Sequence, residues 1–173
     1  MPRKNRRQAR EAALRALYES ELGKVGIEAA LENIDAYAAM PEDLRSFAHK
    51  LALGVQHGKA DIDRILQGKL TDYDLNRVAV VDRNLLRLAV YEFYQCPDVP
   101  PKVTLDEAIE LAKKYSTAES GKFVNGVLAA VLEVSPKKNW SPATQSEEVE
   151  EPGPREPAPE PVEINEDAPE VLE

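Results

Sequence analysis

The stretch RKNRRQAREAALRALYESEL, residues 3–22, carries the side chains with the clearest chemical potential. Arginine presents several planar donors that suit phosphate, and its guanidinium group can also stack on bases. At about 100° per residue, one face of a helix begins with arginine and continues with leucine: Arg3, Arg7, Arg10, Leu14 and Leu17. We expect the first turns of this helix to overhang the body of the protein, so that the arginines meet solvent or a partner.

Three interpretations of this arginine face stay open at this level. The first 17 residues contain six cations and one acid, which makes a local positive patch on an acidic chain. Such a patch suits single-stranded nucleic acid, because cations neutralise phosphates and arginine stacks on bases. A solvated helix end is nearly as compatible with the pattern, and a protein-docking patch is the third alternative.

Patterns that would indicate an enzyme are missing. His49 and His57 have no nucleophile motif beside them, and a single cysteine, Cys96, leaves too few ligands for an ordinary zinc site. Neither the dinucleotide-binding glycine pattern nor the phosphate-loop pattern occurs. We therefore expect a protein that is not an enzyme and binds no cofactor or metal.

Composition divides the chain into two parts. Residues 1–136 contain 19 Lys+Arg against 20 Asp+Glu, whereas residues 137–173 contain 3 against 11, together with seven of the 13 prolines. A Pro/Glu-rich segment has too little apolar surface to offset its chain entropy. We expect one helical domain over 1–136 and a disordered acidic tail over 137–173, which either improves solubility or mimics nucleic acid.

The cellular location follows from features that the sequence lacks. Residues 1–10 contain no apolar signal region, and no stretch of about 18 apolar residues could cross a bilayer. One cysteine cannot form an internal disulfide, which favours a reducing compartment. We expect a cytoplasmic protein.

The apolar periodicity predicts an all-α fold of about seven helices. CPDVPP interrupts the pattern, and Thr104 with Glu107 then forms a capping-box sequence at the next helix start. Gly126 lies within the last predicted helix, where glycine usually allows another backbone to approach. The predicted ranges are 6–22, 27–39, 41–58, 61–70, 77–95, 104–115 and 117–133.

Four segments carry a more specific signal. They are RRQAREAALRALYESEL (6–22), DRNLLRLAVYE (82–92), VPPKVTLDEAIELAKKYS (99–116) and ESGKFVNGVL (119–128). Their order and spacing resemble those of the NusB family of bacterial transcription antitermination factors, over roughly residues 3–132. The resemblance implies two small helical subdomains and no enzymatic activity.

The same resemblance implies binding partners. Family members bind the single-stranded boxA element of ribosomal RNA leader transcripts jointly with NusE, a small-subunit ribosomal protein. They act in a complex with RNA polymerase, NusA and NusG. Homodimers that hide the RNA surface occur in some members, so a homodimer in the absence of RNA is also an expectation.

Roles for individual residues also follow from the resemblance. Phe123 would stack on a base while the arginines neutralise phosphates, so we expect these arginines to lie beside the Phe123 ring. Gln8 occupies a position where family members often carry a third consecutive basic residue. The implied RNA-binding residues are Arg3, Lys4, Arg6, Arg7, Arg10, Arg87, Glu119, Lys122 and Phe123, and the residues facing NusE are Tyr18, Leu22 and Asp82.

Two other functions compete with this one. The N-terminal part of an rRNA cytosine methyltransferase is NusB-like, but such an enzyme would need a separate cofactor-binding α/β domain. A helical protein-docking module without an RNA role is the second alternative.

Overall fold

The structure, a computed structural model, describes residues 3–145 of the 173-residue chain and the side chains of residues 6–143. This part contains seven α-helices, so the predicted all-α fold is confirmed. Two short 3-10 turns accompany them, at Leu75–Arg77 and Pro142–Gln145. The helices are α1 (Arg3–Gly23), α2 (Ile27–Glu32), α3 (Asp35–Ala38), α4 (Glu42–Gln67), α5 (Val80–Gln95), α6 (Pro101–Tyr115) and α7 (Ala118–Val134).

Helix α5 is the central element of the fold. It packs against α1, α4, α6 and α7, and residues 82–90 are all buried, as its apolar pattern on several sides predicted. Helices α2 and α3 pack on α1 and α4, while α6 and α7 pack on each other and on α5. One hydrophobic cluster continues from Ala13 to Val131, so the N-terminal and C-terminal helices share a core.

Two predicted helices are in fact one. The predicted stop at Gly58 is wrong, because α4 continues through it to Gln67. Buried Leu51 and Val55 precede Gly58, and buried Ile62 and Leu66 follow it on the same helical face. Burial of this continuous stripe outweighs the cost of about 1 kcal/mol that a glycine imposes inside a helix.

Three predicted helix boundaries also differ from the structure. The predicted helix over 27–39 is broken at Ile34, which is buried in an extended conformation between α2 and α3. Helix α5 begins at Val80 rather than at 77, after the 3-10 turn. Helix α6 begins at Pro101, since proline needs no N–H partner in a first turn. The capping box is therefore wrong: Thr104 lies inside α6.

Ordered structure continues past the predicted boundary at residue 136. Lys137 is buried, and its Nζ donates to the carbonyl oxygens of Cys96 and Val99. Trp140 Nε1 donates to the Pro97 carbonyl at 2.9 Å. The start of disorder at residue 137 is therefore wrong, because these side chains attach residues 137–140 to the loop between α5 and α6. The rest of the predicted tail, residues 146–173, lies outside the described residues.

Close helix packing involves a glycine other than the predicted one. A Cβ added at Gly126 would meet no atom within 4 Å, so the predicted close approach at this position is wrong. A Cβ added at Gly54 would instead overlap the Tyr91 ring of α5. Gly54 is thus the position that allows α4 and α5 to approach each other.

Alanine substitutions at Gly54 and Gly126 should have opposite effects on the free energy of unfolding. Gly54→Ala should lower the free energy of unfolding by about 1–3 kcal/mol, because the new methyl group displaces the Tyr91 ring. Gly126→Ala should raise it by about 0.5–1 kcal/mol, because helix propensity improves in open space. Urea denaturation of both single variants measures these changes. Equal shifts in the two variants would contradict the packing role of Gly54.

Candidate RNA and protein interfaces

The arginine face of α1 packs against the body of the protein. Arg10 is only 4% exposed, and its Nε donates to Glu92 Oε1 of α5 at 2.7 Å. Glu92 is buried as well, and this burial raises the pKa of its carboxyl group although Arg10 opposes the shift. The expectation of an overhanging helix is therefore wrong at Arg10, because α5 supplies a buried carboxylate that compensates its charge.

Arg7 and Arg6 also have carboxylate partners. Arg7 donates from Nε and Nη2 to the two oxygens of buried Glu107 at 2.6 and 3.0 Å, which makes a bidentate pair. The hydrogen bond to Glu107 raises the pKa of Arg7 above its ordinary value. Arg6 Nη2 lies 3.2 Å from Asp98 Oδ2, on the loop between α5 and α6. The Arg7 side chain remains 45% exposed, so it is more accessible than those of Arg6 and Arg10.

Phe47 of α4 is the aromatic ring beside these arginines. Arg6 Cζ lies 4.8 Å from the centroid of the Phe47 ring, and Arg10 Cζ lies 5.5 Å from it. Both distances suit a cation–π interaction. Phe47 was not among the predicted site residues.

Phe123 lies in a different environment from Phe47. Its ring contacts Tyr73, whose carbonyl oxygen accepts a hydrogen bond from the Gln67 side chain at the end of α4. Phe47 and Gln67 are 20 residues apart on α4, about 30 Å along its axis. The expected placement of the arginines beside Phe123 is therefore wrong, since the two groups associate with opposite ends of α4.

Arg87 is part of a buried charge cluster rather than of an exposed surface. It is 3% exposed, and its guanidinium group donates to both oxygens of Asp63 at 2.7 and 3.0 Å. Its Nη1 also donates to Glu21 Oε2 at 3.3 Å, and Arg83 binds the other Glu21 oxygen. Burial would raise the pKa of Glu21, but hydrogen bonds from Asn84 and Arg83 hold it below its ordinary value. This cluster joins α1, α4 and α5.

The start of α7 presents a basic side chain next to an aromatic one. The Thr117 hydroxyl accepts from the Ser120 N–H, which confirms the predicted cap and sets the helix start. Lys122 is exposed, and neighbouring Phe123 is half-buried. Glu119 is exposed in the first turn, where a carboxylate interacts favourably with the helix dipole.

Two of the three predicted protein-binding residues line one apolar groove. Tyr18 and Leu22 of α1 are 42% and 55% exposed, which is unusual for side chains of this size. Together with Val81 of α5 and Tyr115 of α6 they line the groove. Asp82 follows Val81 but is buried, and its Oδ1 has no hydrogen-bond partner within the described residues.

Sequence reasoning missed the acidic residues that hold the arginines. Glu92 lies in the segment RLAVYEFY, within a helix predicted to be apolar on several sides. An acid in such a helix is expected to need a cationic partner when it is buried. That signal could have paired Glu92 with an arginine of α1, but it could not have identified Arg10.

Three further features concern metal binding, thiol reactivity and membrane insertion. Among residues 3–145, no group of three or more His, Cys, Asp or Glu side chains is arranged to hold a metal ion. Burial raises the pKa of the Cys96 thiol to about 11, so the thiol stays protonated at neutral pH. No helix in this range is long and apolar enough to cross a membrane.

The model of the NusB family matches residues 7–133 of this sequence. The chain belongs to the NusB family. The transcription antitermination protein NusB of Listeria welshimeri is 44% identical over 126 residues, which cover 73% of this chain and 94% of that protein. The protein of the same name from Pelotomaculum thermopropionicum is 40% identical over 129 residues, covering 75% and 90%. Both names denote a transcription factor rather than an enzyme.

Solved NusB structures share the fold. T. maritima NusB superposes with a TM-score of 0.71 and 37% identity, covering 85% of this chain and 98% of that one. A chain from the crystal structure of antitermination factors NusB and NusE in complex with dsRNA gives a TM-score of 0.69 and 28% identity, covering 79% and 98%. The helical arrangement described above is thus that of the NusB family.

Proposed function

We propose that this NusB-family chain is a transcription antitermination factor. It binds the boxA element of ribosomal RNA leader transcripts together with NusE, in a complex with RNA polymerase, NusA and NusG. The names of the relatives and the solved NusB–NusE–RNA complex support this proposal. The observation that carries it is the accessible Lys122–Phe123 pair on α7, within a chain that matches the NusB family from residue 7 to residue 133.

The RNA-binding residues fall into two groups by accessibility. Lys122 is free to approach a phosphate, and Phe123 can stack on a base from its exposed edge. Arg7 is half exposed, and Glu107 fixes the plane of its guanidinium group. Arg3 and Lys4 belong to the first turn of α1, but their side chains lie outside the described residues; we propose that they extend the basic surface.

Arg10 and Arg87 have a positioning role in this proposal. Their guanidinium groups are buried against carboxylates, so a direct phosphate contact would require breaking those pairs. Arg10 instead holds α1 on α5, which orients the exposed Arg7 one turn earlier in the helix. Glu119, exposed beside Lys122, limits where a phosphate can lie through like-charge repulsion.

The α1 groove is the proposed surface for NusE. Exposed Tyr18 and Leu22 supply the apolar area that a protein partner would bury. Asp82, which follows the groove residue Val81 in α5, is the third proposed NusE-facing residue; because it is buried, its side chain would have to become exposed to contact the partner. The residues proposed for NusE are thus distinct from those proposed for RNA.

Variants of the two proposed surfaces test whether RNA binds at Lys122 and NusE at the α1 groove. Lys122→Ala should weaken binding of single-stranded boxA RNA and flatten its salt slope by ~0.7, the value for one lost phosphate contact. Tyr18→Ala with Leu22→Ala should abolish capture of NusE but leave RNA binding by the chain alone unchanged. Fluorescence anisotropy at several salt concentrations measures RNA binding, and size-exclusion chromatography measures complex formation with NusE.

Lys138→Ala is the matched control, because Lys138 is an exposed lysine paired with Glu133 at the far end of α7. A duplex of the same sequence, used as competitor, distinguishes single-stranded from double-stranded binding. The proposal fails if the unmodified chain binds no boxA RNA. If Lys122→Ala and Lys138→Ala reduce the salt slope equally, the α7 site is wrong.

A further inference from the structure

Tyr73 forms an aromatic pair with Phe123 on the surface of the protein. The two ring centroids are 6.2 Å apart, and the ring planes are inclined by 73°, an edge-to-face arrangement. Tyr73 is 59% exposed, whereas Phe123 is half-buried against the hydrophobic core. A large aromatic side chain left this exposed has most of one face free for another flat group.

The loop that carries Tyr73 is held in place by hydrogen bonds at this residue and directly after it. The Gln67 side chain donates from Nε2 to the Tyr73 carbonyl at 2.7 Å and accepts through Oε1 from the Leu75 N–H at 2.9 Å. Leu75 is buried, and the Asp74 side chain accepts from the Asn76 N–H at 2.9 Å. The Tyr73 backbone is therefore fixed before any ligand arrives, which reduces the entropic cost of binding.

The charges around the pair indicate how an anionic polymer would run past it. Asp72 and Asp74 flank Tyr73 and are exposed, so they repel phosphates from the loop side. Lys122, which precedes Phe123 in α7, is exposed and positively charged. A nucleic-acid strand would place its phosphates toward Lys122 and direct a base toward the rings.

We propose that Tyr73 extends the Phe123 site into a two-ring platform on which a nucleobase of single-stranded RNA stacks. This inference rests on the proposed function and adds to it a residue outside the four segments that carry the family resemblance. Aromatic faces stack on every base, so Tyr73 contributes affinity with little dependence on which base is present.

Substitution of Tyr73 separates stacking from simple packing. Tyr73→Leu keeps an apolar side chain against Phe123 but removes the flat face. It should weaken binding of a fluorescein-labelled single-stranded boxA RNA by between about 5-fold and about 140-fold. This range corresponds to the loss of about 1–3 kcal/mol of base stacking, since each 1.4 kcal/mol changes the dissociation constant about tenfold. Tyr73→Phe should bind within twofold of the unmodified chain. Tyr94→Leu, at a partly buried tyrosine near the end of α5 that belongs to neither proposed interface, should also bind within twofold.

A second measurement needs no variant. Irradiation of the unmodified protein with the same RNA carrying 5-iodouracil should crosslink the peptide that contains Tyr73, because this base analogue reacts with aromatic rings stacked on it. The platform is overturned if Tyr73→Leu binds like the unmodified chain or if the crosslink maps elsewhere. If the unmodified chain binds no RNA, the proposed function fails together with the platform; RNA binding that is insensitive to Tyr73→Leu overturns the platform alone.

Discussion

Replacing Glu92 with glutamine should lower the free energy of unfolding by about 3–5 kcal/mol, the usual cost of leaving a buried charge without its partner. The substitution keeps the shape of the side chain but removes the charge that compensates Arg10, which is buried and cannot lose its proton. The buried Lys137 ammonium group also interacts with Glu92, so two cations lose their counter-charge. Urea denaturation at pH 7 measures the loss.

The Arg10→Met variant tests the same ion pair through the pH dependence of protein stability. Burial raises the pKa of Glu92, and removal of Arg10 should raise it further, because Arg10 favours the charged form. The folded protein then binds a proton more readily than the unfolded chain does, so stability increases as the pH falls toward the ordinary range for glutamate. The destabilisation by Arg10→Met should therefore be smaller at pH 5 than at pH 7, with no such reduction for Glu92→Gln. Loss of less than 1 kcal/mol in Glu92→Gln would show that Arg10 can reach solvent.

Replacing Arg87 with alanine should destabilise the protein by about 3 kcal/mol, near the lower end for a buried pair because its carboxylate partners are partly exposed. The bidentate pair with Asp63 and the contact with Glu21 would both be lost. The same variant should bind RNA with an unchanged salt slope below its unfolding transition, because the guanidinium group makes no phosphate contact in our proposal. Thermal denaturation and anisotropy titrations measure the two quantities.

Arg87→Lys is the control for geometry. Lysine retains the charge but cannot reproduce the two parallel donors that meet Asp63, so most of the stability loss should remain. A salt slope that falls by ~0.7 in Arg87→Ala but not in Arg87→Lys, without loss of stability, would instead assign Arg87 to the RNA surface.

The helices were largely predictable, and the errors have a common cause. Local periodicity and capping predicted α1, the end of α7 and the Thr117 cap, since these depend on neighbours three or four residues away. The prediction divided α4 at Gly58 because propensity is a local quantity, whereas burial of Leu51 and Ile62 on one face depends on packing against α1 and α5.

The candidate site also depends partly on local sequence and partly on tertiary packing. By itself the sequence determined the helical class, the family and the Lys122–Phe123 segment near the start of α7, because these features are encoded in contiguous motifs. Only the tertiary structure decided which arginines remain accessible. Arg10 meets Glu92 across 82 residues, and Arg7 meets Glu107 across 100. Charge compensation depends on which helices become neighbours, and helical periodicity contains no information about that choice.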